Sequence, residues 1–386
     1  MLNIGVDART WFFRSGLGRY CRNALSSVIA MRGGIRFVIW LSEKKSVGDF
    51  PDFGADIDVR VSRAAFGDLD AELTTFREEI NHSSVDVFFS PFSPVPAGIT
   101  MQSVLTVHDL VAFKHPGLHV ESTVRYLKSA LPRSLQVAAS IVAISRHTAS
   151  DIESFFPGSK QRTVVIPPGV DQRLFNRGQL NSDSSVLFAH GLQAHSYILY
   201  VGNLEARKNL LRAVEAYEMS LLFSKVQFVL AGTPRWGVDD LLQKLQDARL
   251  SDRVRVLQYV SDEELPALFR GAFFFVYPSL YEGFGLPVLE AMACGTPVLT
   301  SNRSSLPEIA SEAAILVDPE SVEEIRAGMD RLATDELLRK QLAERGEARS
   351  HAYRWEVTGE KILQLLKAHG RARTASIVAR VRRSEL

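Results

Sequence analysis

Two glutamates and two glycines in the segment 278–298 have the types and spacing to bind a ligand that carries both phosphate and hydroxyl groups. Gly283 and Gly285 let backbone amides approach a ligand closely, because glycine has no Cβ. The helix predicted to follow them directs positive partial charge from its amino terminus toward the same place, which favours a phosphate. Glu282 lies in the loop and Glu290 in the helix, so their carboxylates can contact different hydroxyl groups of one extended ligand.

Glu282 and Glu290 are separated by seven residues, and in this context they resemble the E-x7-E signature of retaining glycosyltransferases of family four. The resemblance implies the GT-B fold, an α/β architecture in which two Rossmann-like, doubly wound parallel-sheet domains face each other across a cleft. It also implies that Glu290 holds the ribose of a nucleotide, and that Glu282 holds the sugar together with the backbone amides of residues 284 and 285. The residues of this segment expected to bind the donor are Gly283, Phe284, Gly285, Leu286 and Glu290.

A second segment, 201–210, is similar to the glycine turn and basic segment of the same family. The resemblance implies that Arg207 and Lys208 stabilise the charge that a departing nucleoside diphosphate acquires in the transition state. Two cations at the start of a helix oppose its dipole, which favours a functional role over a solvated charge pair. Gly202 and Asn203 are expected to contact the donor. Some relatives carry an arginine where this chain has Asn203, which leaves open which cation contributes most.

The glycines at positions 16 and 18 follow the first predicted strand and begin a helix. As a dinucleotide fingerprint this segment is incomplete, because Cys21 stands where a third glycine belongs and the turn after the strand is too long. The segment resembles instead the amino-terminal glycine loop of the family. Gly16 and Gly18 are therefore expected to face the donor phosphates and the acceptor.

His108 stands at the end of a predicted strand, where the family commonly has a histidine that reaches the donor sugar. Asp109 is positioned to orient the imidazole by a hydrogen bond, and the same pair is a candidate general base, with sugar contact the preferred role. The alternative is a purely structural histidine. Ser145 is expected to cap the next helix, and Arg146 is a further candidate for the cleft.

Two Asp-x-Asp triplets, 56–58 and 68–70, match the metal-binding triplet of a different glycosyltransferase class. Matches of three residues arise by chance in a chain of this length, and neither triplet lies in a glycine-bearing loop after a predicted strand. His115, His195 and His351 show no paired ligand spacing. We therefore expect no catalytic metal and no cofactor, with a nucleoside diphosphate sugar as substrate.

The elements that must position these residues alternate between short β-branched or aromatic runs and longer amphipathic segments, which is typical of parallel α/β sheets. The predicted strands of the first series are 2–6, 36–40, 85–89, 104–107, 141–144 and 164–166, and those of the second are 197–201, 226–231, 254–257, 273–277, 298–300 and 315–317. Ligands bind beyond the carboxyl ends of such strands, which is where the motifs lie.

The chain has 386 residues, more than one hydrophobic core usually serves, and two domains are predicted. Residues 1–180 form an acceptor-side domain, with a carboxyl-terminal helix at about 352–370 packing back on it. Residues 190–350 form the domain that binds the nucleotide sugar. Residues 371–386 form a basic tail, which is expected to be a solvated or disordered end, with contact to anionic lipid as the alternative.

The 45 lysines and arginines nearly balance 44 acidic residues, so no overall field attracts nucleic acid. Two cysteines are too few for a disulfide framework, no signal peptide is apparent, and no apolar run is long enough to cross a membrane. A cytoplasmic protein is predicted. A lipid-linked acceptor would bring it to the inner face of the cytoplasmic membrane as a peripheral protein.

The sequence thus predicts a retaining glycosyltransferase that moves a hexose to a glycan or polyprenyl-diphosphate-linked acceptor. Segment 202–210 and the overall layout resemble bacterial mannosyltransferases of polysaccharide and lipopolysaccharide assembly, so GDP-mannose is the preferred donor. Rhamnose and glucose donors are alternatives. An epimerase of GT-B-like fold and a binding protein with a vestigial site are rival classes, and the complete set of cations and glutamates argues against the second.

Overall fold

The computed structural model describes residues 1–42, 46–92, 94–178 and 182–384, without the side chains of residue 46 and of 372–384. The chain forms two compact units. The first unit contains Met1–Gly169 and the chain from Trp355 onward, and the second unit contains Val170–Arg354. None of the helices in these ranges combines the length and the apolar run that a membrane span would need.

The first unit is built on a parallel sheet in the order β3-β2-β1-β4-β5-β6-β7. Its strands are β1 Leu2–Asp7, β2 Ile35–Leu41, β3 Ile57–Val61, β4 Val87–Ser90, β5 Gln102–Val107, β6 Ser140–Ala143 and β7 Thr163–Val165. Strand order reverses between β1 and β4, which makes this a doubly wound sheet.

The second unit repeats this arrangement with a sheet in the order β10-β9-β8-β11-β12-β13, again parallel. Its strands are β8 Tyr197–Val201, β9 Gln227–Ala231, β10 Val254–Leu257, β11 Phe274–Tyr277, β12 Val298–Ser301 and β13 Ile315–Val317. Strand order reverses between β8 and β11, which pair in parallel through Phe274 with Ile198 and Phe275 with Leu199.

The central strands of both sheets are apolar and fully buried, as expected when helices cover both faces of a parallel sheet. The helices of the first unit are α1 Gly16–Ala30, α2 Ser46–Asp49, α3 Leu69–Ala71, α4 Arg77–Asn81, α5 Val111–Lys114, α6 Glu121–Val137 and α7 Arg146–Phe155. Those of the second unit are α8 Asp183–Ala189, α9 Leu210–Glu218, α10 Asp239–Lys244, α11 Leu265–Gly271, α12 Leu286–Ala293, α13 Leu306–Ala310, α14 Val322–Thr334 and α15 Glu336–Ser350.

The last helix, α16 Trp355–Ser384, packs on the first unit against α1 and the strands β1, β4 and β5. Thr358 donates a hydrogen bond to the carbonyl oxygen of Pro167 at 2.7 Å. The bounds of this helix extend into the basic tail, as far as Ser384.

The predicted fold class, two doubly wound parallel sheets, is confirmed by these topologies. All strands predicted from the sequence are present, with ends that differ by at most two residues. β3, one of the two edge strands of the first sheet, was not among the predicted strands. Asp58 and Arg60 alternate with apolar residues in β3, and this polar edge weakens the pattern that marks a buried strand.

Candidate functional site

The crevice between β8 and β11 is the point in the second unit where an α/β sheet usually binds its ligand, because the connections diverge there to opposite faces. The segment 202–209 follows β8 and the segment 278–285 follows β11. The amide of Leu280 donates to the carbonyl oxygen of Arg207 at 2.8 Å, so the two segments are hydrogen-bonded to each other. Residues from both predicted motifs therefore meet at one place.

Glycine is required at the start of the first segment. Gly202 has a φ of +140°, a conformation that other residues rarely adopt. The neighbouring Gly232 must also be glycine, because a Cβ there would lie 1.9 Å from the carbonyl oxygen of Gly202. The chain then forms a single turn, Ala206–Lys208, and Asn209 takes the left-handed conformation with a φ of 61° before α9 begins. The Asn209 side-chain amide donates to the carbonyl oxygens of Pro278 and Pro319, which fixes the turn that carries both cations.

Arg207 and Lys208 share the carboxylate of Glu282. Arg207 Nη1 lies 2.8 Å from Glu282 Oε2, and Lys208 Nζ lies 2.5 Å from Glu282 Oε1. On its other side, Arg207 Nε lies 3.2 Å from Glu205 Oε2. Two cations and two carboxylates thus form one charge-balanced cluster, and Lys208 and Glu282 are buried in it.

The electrostatics of the cluster fix its protonation states. Burial alone would raise the pKa of Glu282, but the charges of Arg207 and Lys208 outweigh it and lower the pKa to about 2. Burial and the neighbouring Arg207 lower the pKa of Lys208, while the charges of Glu282 and Glu205 oppose that shift. Glu282 is therefore ionised at neutral pH, and Lys208 depends on its carboxylate neighbours to stay charged.

The loop that carries Glu282 is held by two serines. The Ser305 hydroxyl donates to the carbonyl oxygens of Glu282 at 2.9 Å and Phe284 at 2.8 Å, and the Glu282 amide donates to Ser304 Oγ at 2.9 Å. Gly285 ends the loop with a φ of +111°, and a Cβ there would lie 2.7 Å from Leu306. The helix α12 therefore begins directly after the loop that carries Glu282.

Glu290 lies within α12 and is almost completely buried. It is therefore carried by a different element from Glu282, as the sequence analysis predicted. Gly283, Phe284 and Leu286 lie in or directly after the loop. Contact of these residues and of Asn203 with a donor stays a prediction.

His108 follows β5 in the first unit, where its Nε2 lies 2.9 Å from the carbonyl oxygen of Pro91. A carbonyl oxygen only accepts, so Nε2 carries the proton and Nδ1 is the acceptor nitrogen of the ring. Burial lowers the pKa of His108, which favours the neutral ring. The predicted orienting role of Asp109 is wrong, because Asp109 Oδ1 accepts from the amide of Val111 and the Pro91 carbonyl holds the ring.

The two glycines at the start of α1 differ in their surroundings. A Cβ on Gly18 would lie 2.0 Å from the carbonyl oxygen of Phe13, so glycine is needed there for backbone packing. A Cβ on Gly16 would meet no atom within 4 Å, so this position faces open space. Ser145 caps α7 as predicted, with its hydroxyl oxygen accepting from the amide of Thr148.

The two aspartate triplets have local roles. Asp58 lies in β3 and pairs with Arg60 at 2.9 Å, and Asp68 accepts hydrogen bonds from two amides at the start of α3. Across the described part of the chain, no group of three histidine, cysteine, aspartate or glutamate side chains is arranged to hold a metal. The absence of a catalytic metal remains an expectation.

One member of the cluster, Glu205, and two residues that contact it, Tyr277 and Ser305, were not predicted from the sequence. Lys208 Nζ donates to the Tyr277 hydroxyl at 2.5 Å, and the Ser305 hydroxyl donates to the carbonyl oxygen of Glu282. Tyr277 is the last residue of β11, directly before the glutamate loop, and that position was the available signal. Nothing in the linear sequence indicated which side chain Tyr277 contacts.

Two family models match the chain: "Glycosyl transferases group 1" over residues 188–349 and "Glycosyltransferase Family 4" over residues 57–174. O-antigen chain mannosyltransferase B of Escherichia coli is 35% identical over 257 residues, which are 66% of this chain and 67% of that protein. The MMP alpha-(1->4)-mannosyltransferase of Mycolicibacterium hassiacum is 33% identical over 224 residues, 56% of this chain. The match spans 51% of that second relative's length.

Among solved structures, a sucrose-phosphate synthase from Thermosynechococcus elongatus superposes with a TM-score of 0.76 at 19% identity. The match covers 95% of this chain and 99% of that one. At this level of identity the likeness shows the fold alone.

Proposed function

Because this chain belongs to the family of group 1 and family 4 glycosyltransferases, we propose that it is a retaining mannosyltransferase using a nucleoside diphosphate mannose, preferably GDP-mannose, and a glycan acceptor. Its fold is GT-B, as the sequence predicted. The choice of mannose is supported by two relatives whose names describe mannosyltransferases, one of the O-antigen chain. The choice of GDP rests on the sequence resemblance.

The observation that carries the proposal is the pair of cations at the strand-order reversal of the second unit. Arg207 and Lys208 are held by the carboxylate of Glu282, which is buried, so they need little reorganisation when charge develops beside them. As the bond between the anomeric carbon and the distal phosphate oxygen breaks, that oxygen gains negative charge, which the two cations stabilise. Charge stabilisation then takes the place of a general acid.

Retention would follow from attack on the same face of the sugar. The acceptor oxygen bonds to the anomeric carbon on the face that the diphosphate leaves, and its proton passes to a phosphate oxygen. Both oxygens of Glu282 face cations, which makes this carboxylate a poor nucleophile and suits it to fixing positions. In this proposal Glu290 holds the ribose, and His108 presents its acceptor nitrogen Nδ1 to a sugar hydroxyl.

The acceptor is proposed to be a glycan carried on a polyprenyl diphosphate, which would bring the protein to the cytoplasmic face of the inner membrane. Support comes from the O-antigen relative and from the net positive charge of residues 371–386. Sedimentation with vesicles of phosphatidylglycerol and phosphatidylethanolamine tests this part alone. Binding that disappears when residues 371–386 are deleted supports it, and no binding to anionic vesicles contradicts it.

A donor panel tests the central proposal. The purified protein is incubated with GDP-mannose, UDP-glucose and dTDP-rhamnose, each with and without an oligosaccharide acceptor, and diphosphate release is measured. We expect rapid release from GDP-mannose only when acceptor is present, and an α-linked product by proton NMR. Preference for another donor would change the sugar, a β-linked product would exclude retention, and isomerisation without acceptor would indicate an epimerase. No binding or turnover of any donor would refute the proposal.

A further inference from the structure

Two stacked tyrosines, Tyr200 and Tyr277, adjoin the charge-balanced cluster of Arg207, Lys208, Glu205 and Glu282. Tyr200 belongs to β8 and Tyr277 ends β11, the two strands between which strand order reverses. Their ring centroids are 5.7 Å apart with an interplanar angle of 13°, and both residues are completely or almost completely buried. Phe275 also stacks on Tyr277, with ring centroids 5.7 Å apart, and two packed aromatic neighbours leave the buried Tyr277 ring little freedom to move.

The hydroxyl of Tyr277 contacts the ammonium group of Lys208. Lys208 Nζ donates to this hydroxyl at 2.5 Å and also lies 4.9 Å from the ring centroid. With Glu282 Oε1 as the second acceptor, two of the three N–H donors of the ammonium have protein partners. The third N–H group can donate a hydrogen bond to a phosphate oxygen of the substrate.

The second tyrosine, Tyr200, contacts the glycine turn that begins the segment 202–209. The Tyr200 hydroxyl donates to the carbonyl oxygen of Asn203 at 2.8 Å and lies 3.0 Å from the position of a Cβ on Gly202. The stacked pair therefore fixes the glycine turn through one hydroxyl and Lys208 through the other.

We propose that Tyr277 is a positioning residue for glycosyl transfer, which holds the Lys208 ammonium in the direction of the leaving diphosphate. The proposal rests on the proposed function, in which Lys208 stabilises the leaving group. Tyr277 acts through Lys208 and needs no contact with the substrate.

The charge environment of Lys208 supports this role. Burial and Arg207 lower its pKa, and Glu282 and Glu205 counteract them. Burial and the charge of Glu282 raise the pKa of Tyr277 well above its usual value, so the phenol stays neutral and can accept from an ammonium. Loss of this acceptor would leave a buried cation with less stabilisation, which lowers the pKa of Lys208 further.

The test is the Tyr277→Phe variant, which keeps the stacked ring and removes only the hydroxyl. We expect kcat and kcat/KM for the donor to fall together by about tenfold, because the lost interaction acts in the transition state. In the Lys208→Ala background the same change should have no further effect, since the two residues act as one unit. Tyr217→Phe is the matched control, because it removes a buried hydroxyl of the same unit that donates to Val226.

A second measurement does not depend on turnover. With lysines labelled with carbon-13 at Cε, and Lys208 assigned through Lys208→Ala, the titration of Lys208 should move to lower pH in Tyr277→Phe and stay in place in Tyr217→Phe. An unchanged titration, or a loss of activity that persists in the Lys208→Ala background, would overturn the proposal. If the wild type transferred no sugar at all, the proposed function would fail, and the titration would still decide whether Tyr277 holds Lys208.

Discussion

Arg207 and Glu282 follow two different strands, and Arg207 Nη1 nevertheless lies 2.8 Å from Glu282 Oε2. The same carboxylate contacts Lys208, so one glutamate holds both cations and, together with Glu205, opposes the lowering of the Lys208 pKa. A buried charge without its partner is strongly unfavourable. The two segments of the site are therefore coupled energetically, and changes at one residue of the cluster should be felt at the others.

Replacement of Lys208 by alanine should reduce kcat by about a hundredfold, comparable to the removal of one donor from an oxyanion site. The physical reason is that the lost cation stabilises the leaving diphosphate more than it stabilises the bound donor. Steady-state kinetics with saturating acceptor measure the effect. Lys225→Ala, at an exposed lysine of the same unit, serves as control and should keep wild-type turnover. Wild-type kcat in Lys208→Ala would contradict the leaving-group role.

Replacement of Glu282 by glutamine should change how stability depends on pH. The folded-state pKa of Glu282 is about 2 and thus lower than that of an unpaired glutamate, so its ionisation stabilises the fold above about pH 4.5 and this contribution is lost as the pH falls toward 2. We expect Glu282→Gln to melt lower than wild type at pH 7, with a difference that shrinks between pH 5 and pH 3.

Thermal melts across this range measure the effect. Glu336→Gln is the control, because Glu336 forms an exposed pair with Lys340 that contributes little to stability. If the difference in melting temperature between Glu282→Gln and wild type were constant with pH, Arg207 and Lys208 would not control the pKa of Glu282.

Replacement of Glu290 by alanine should weaken binding of free GDP by about tenfold or more, as expected for loss of a charged hydrogen-bond acceptor. Isothermal titration calorimetry gives the dissociation constant directly, without turnover. Glu344→Ala removes an exposed carboxylate of α15 and should leave the constant unchanged. Equal affinity for GDP in Glu290→Ala and wild type would exclude the ribose contact.

The positions of the motifs could be predicted because strand pattern and strand-end loops follow from local sequence. The run from Phe274 to Tyr277 is apolar, and a loop with Gly283 and Gly285 follows it within eight residues, so the glutamate loop had to lie at a strand end. The segment at Gly202 follows β8 in the same way. Because β8 and β11 are parallel, their carboxyl ends, and therefore both loops, lie at the same end of the sheet.

Side-chain partners could not be predicted in this way. The contact between Lys208 and Tyr277 joins residues 69 positions apart, and it depends on the rotamers and on the pairing of β8 with β11. The role of Asp109 was predicted wrongly for a related reason. A local amide, that of Val111, competes with the imidazole for the same carboxylate, as is common for aspartate at the start of a helix.

Replacement of Arg9 by methionine should destabilise the first unit by about 3–5 kcal/mol, because two buried carboxylates lose their cation. Arg9 binds Asp7 through Nε and Nη2 at 2.9 and 2.8 Å and Glu72 at 2.9 Å, and its guanidinium lies 3.7 Å from the ring centroid of Phe76. Urea unfolding followed by tryptophan fluorescence measures the loss.

The control for this prediction is Arg60→Met, which removes an ion pair with Asp58 whose side chains are 40% and 30% exposed. Its effect should stay below about 1 kcal/mol. Equal losses in both variants would mean that burial does not determine the contribution of Arg9.

Replacement of Gly18 and of Gly16 by alanine should separate packing from binding at the start of α1. Gly18→Ala places a Cβ 2.0 Å from the carbonyl oxygen of Phe13, so the loop must move and the melting temperature should fall by several degrees.

Gly16→Ala meets no neighbour, and its melting temperature should equal or exceed that of wild type, because alanine is the better helix former. If ligand groups approach the backbone at Gly16, the added methyl group should still raise KM for donor or acceptor by about threefold or more. Unchanged kinetics in a fully stable Gly16→Ala protein would remove Gly16 from the binding site.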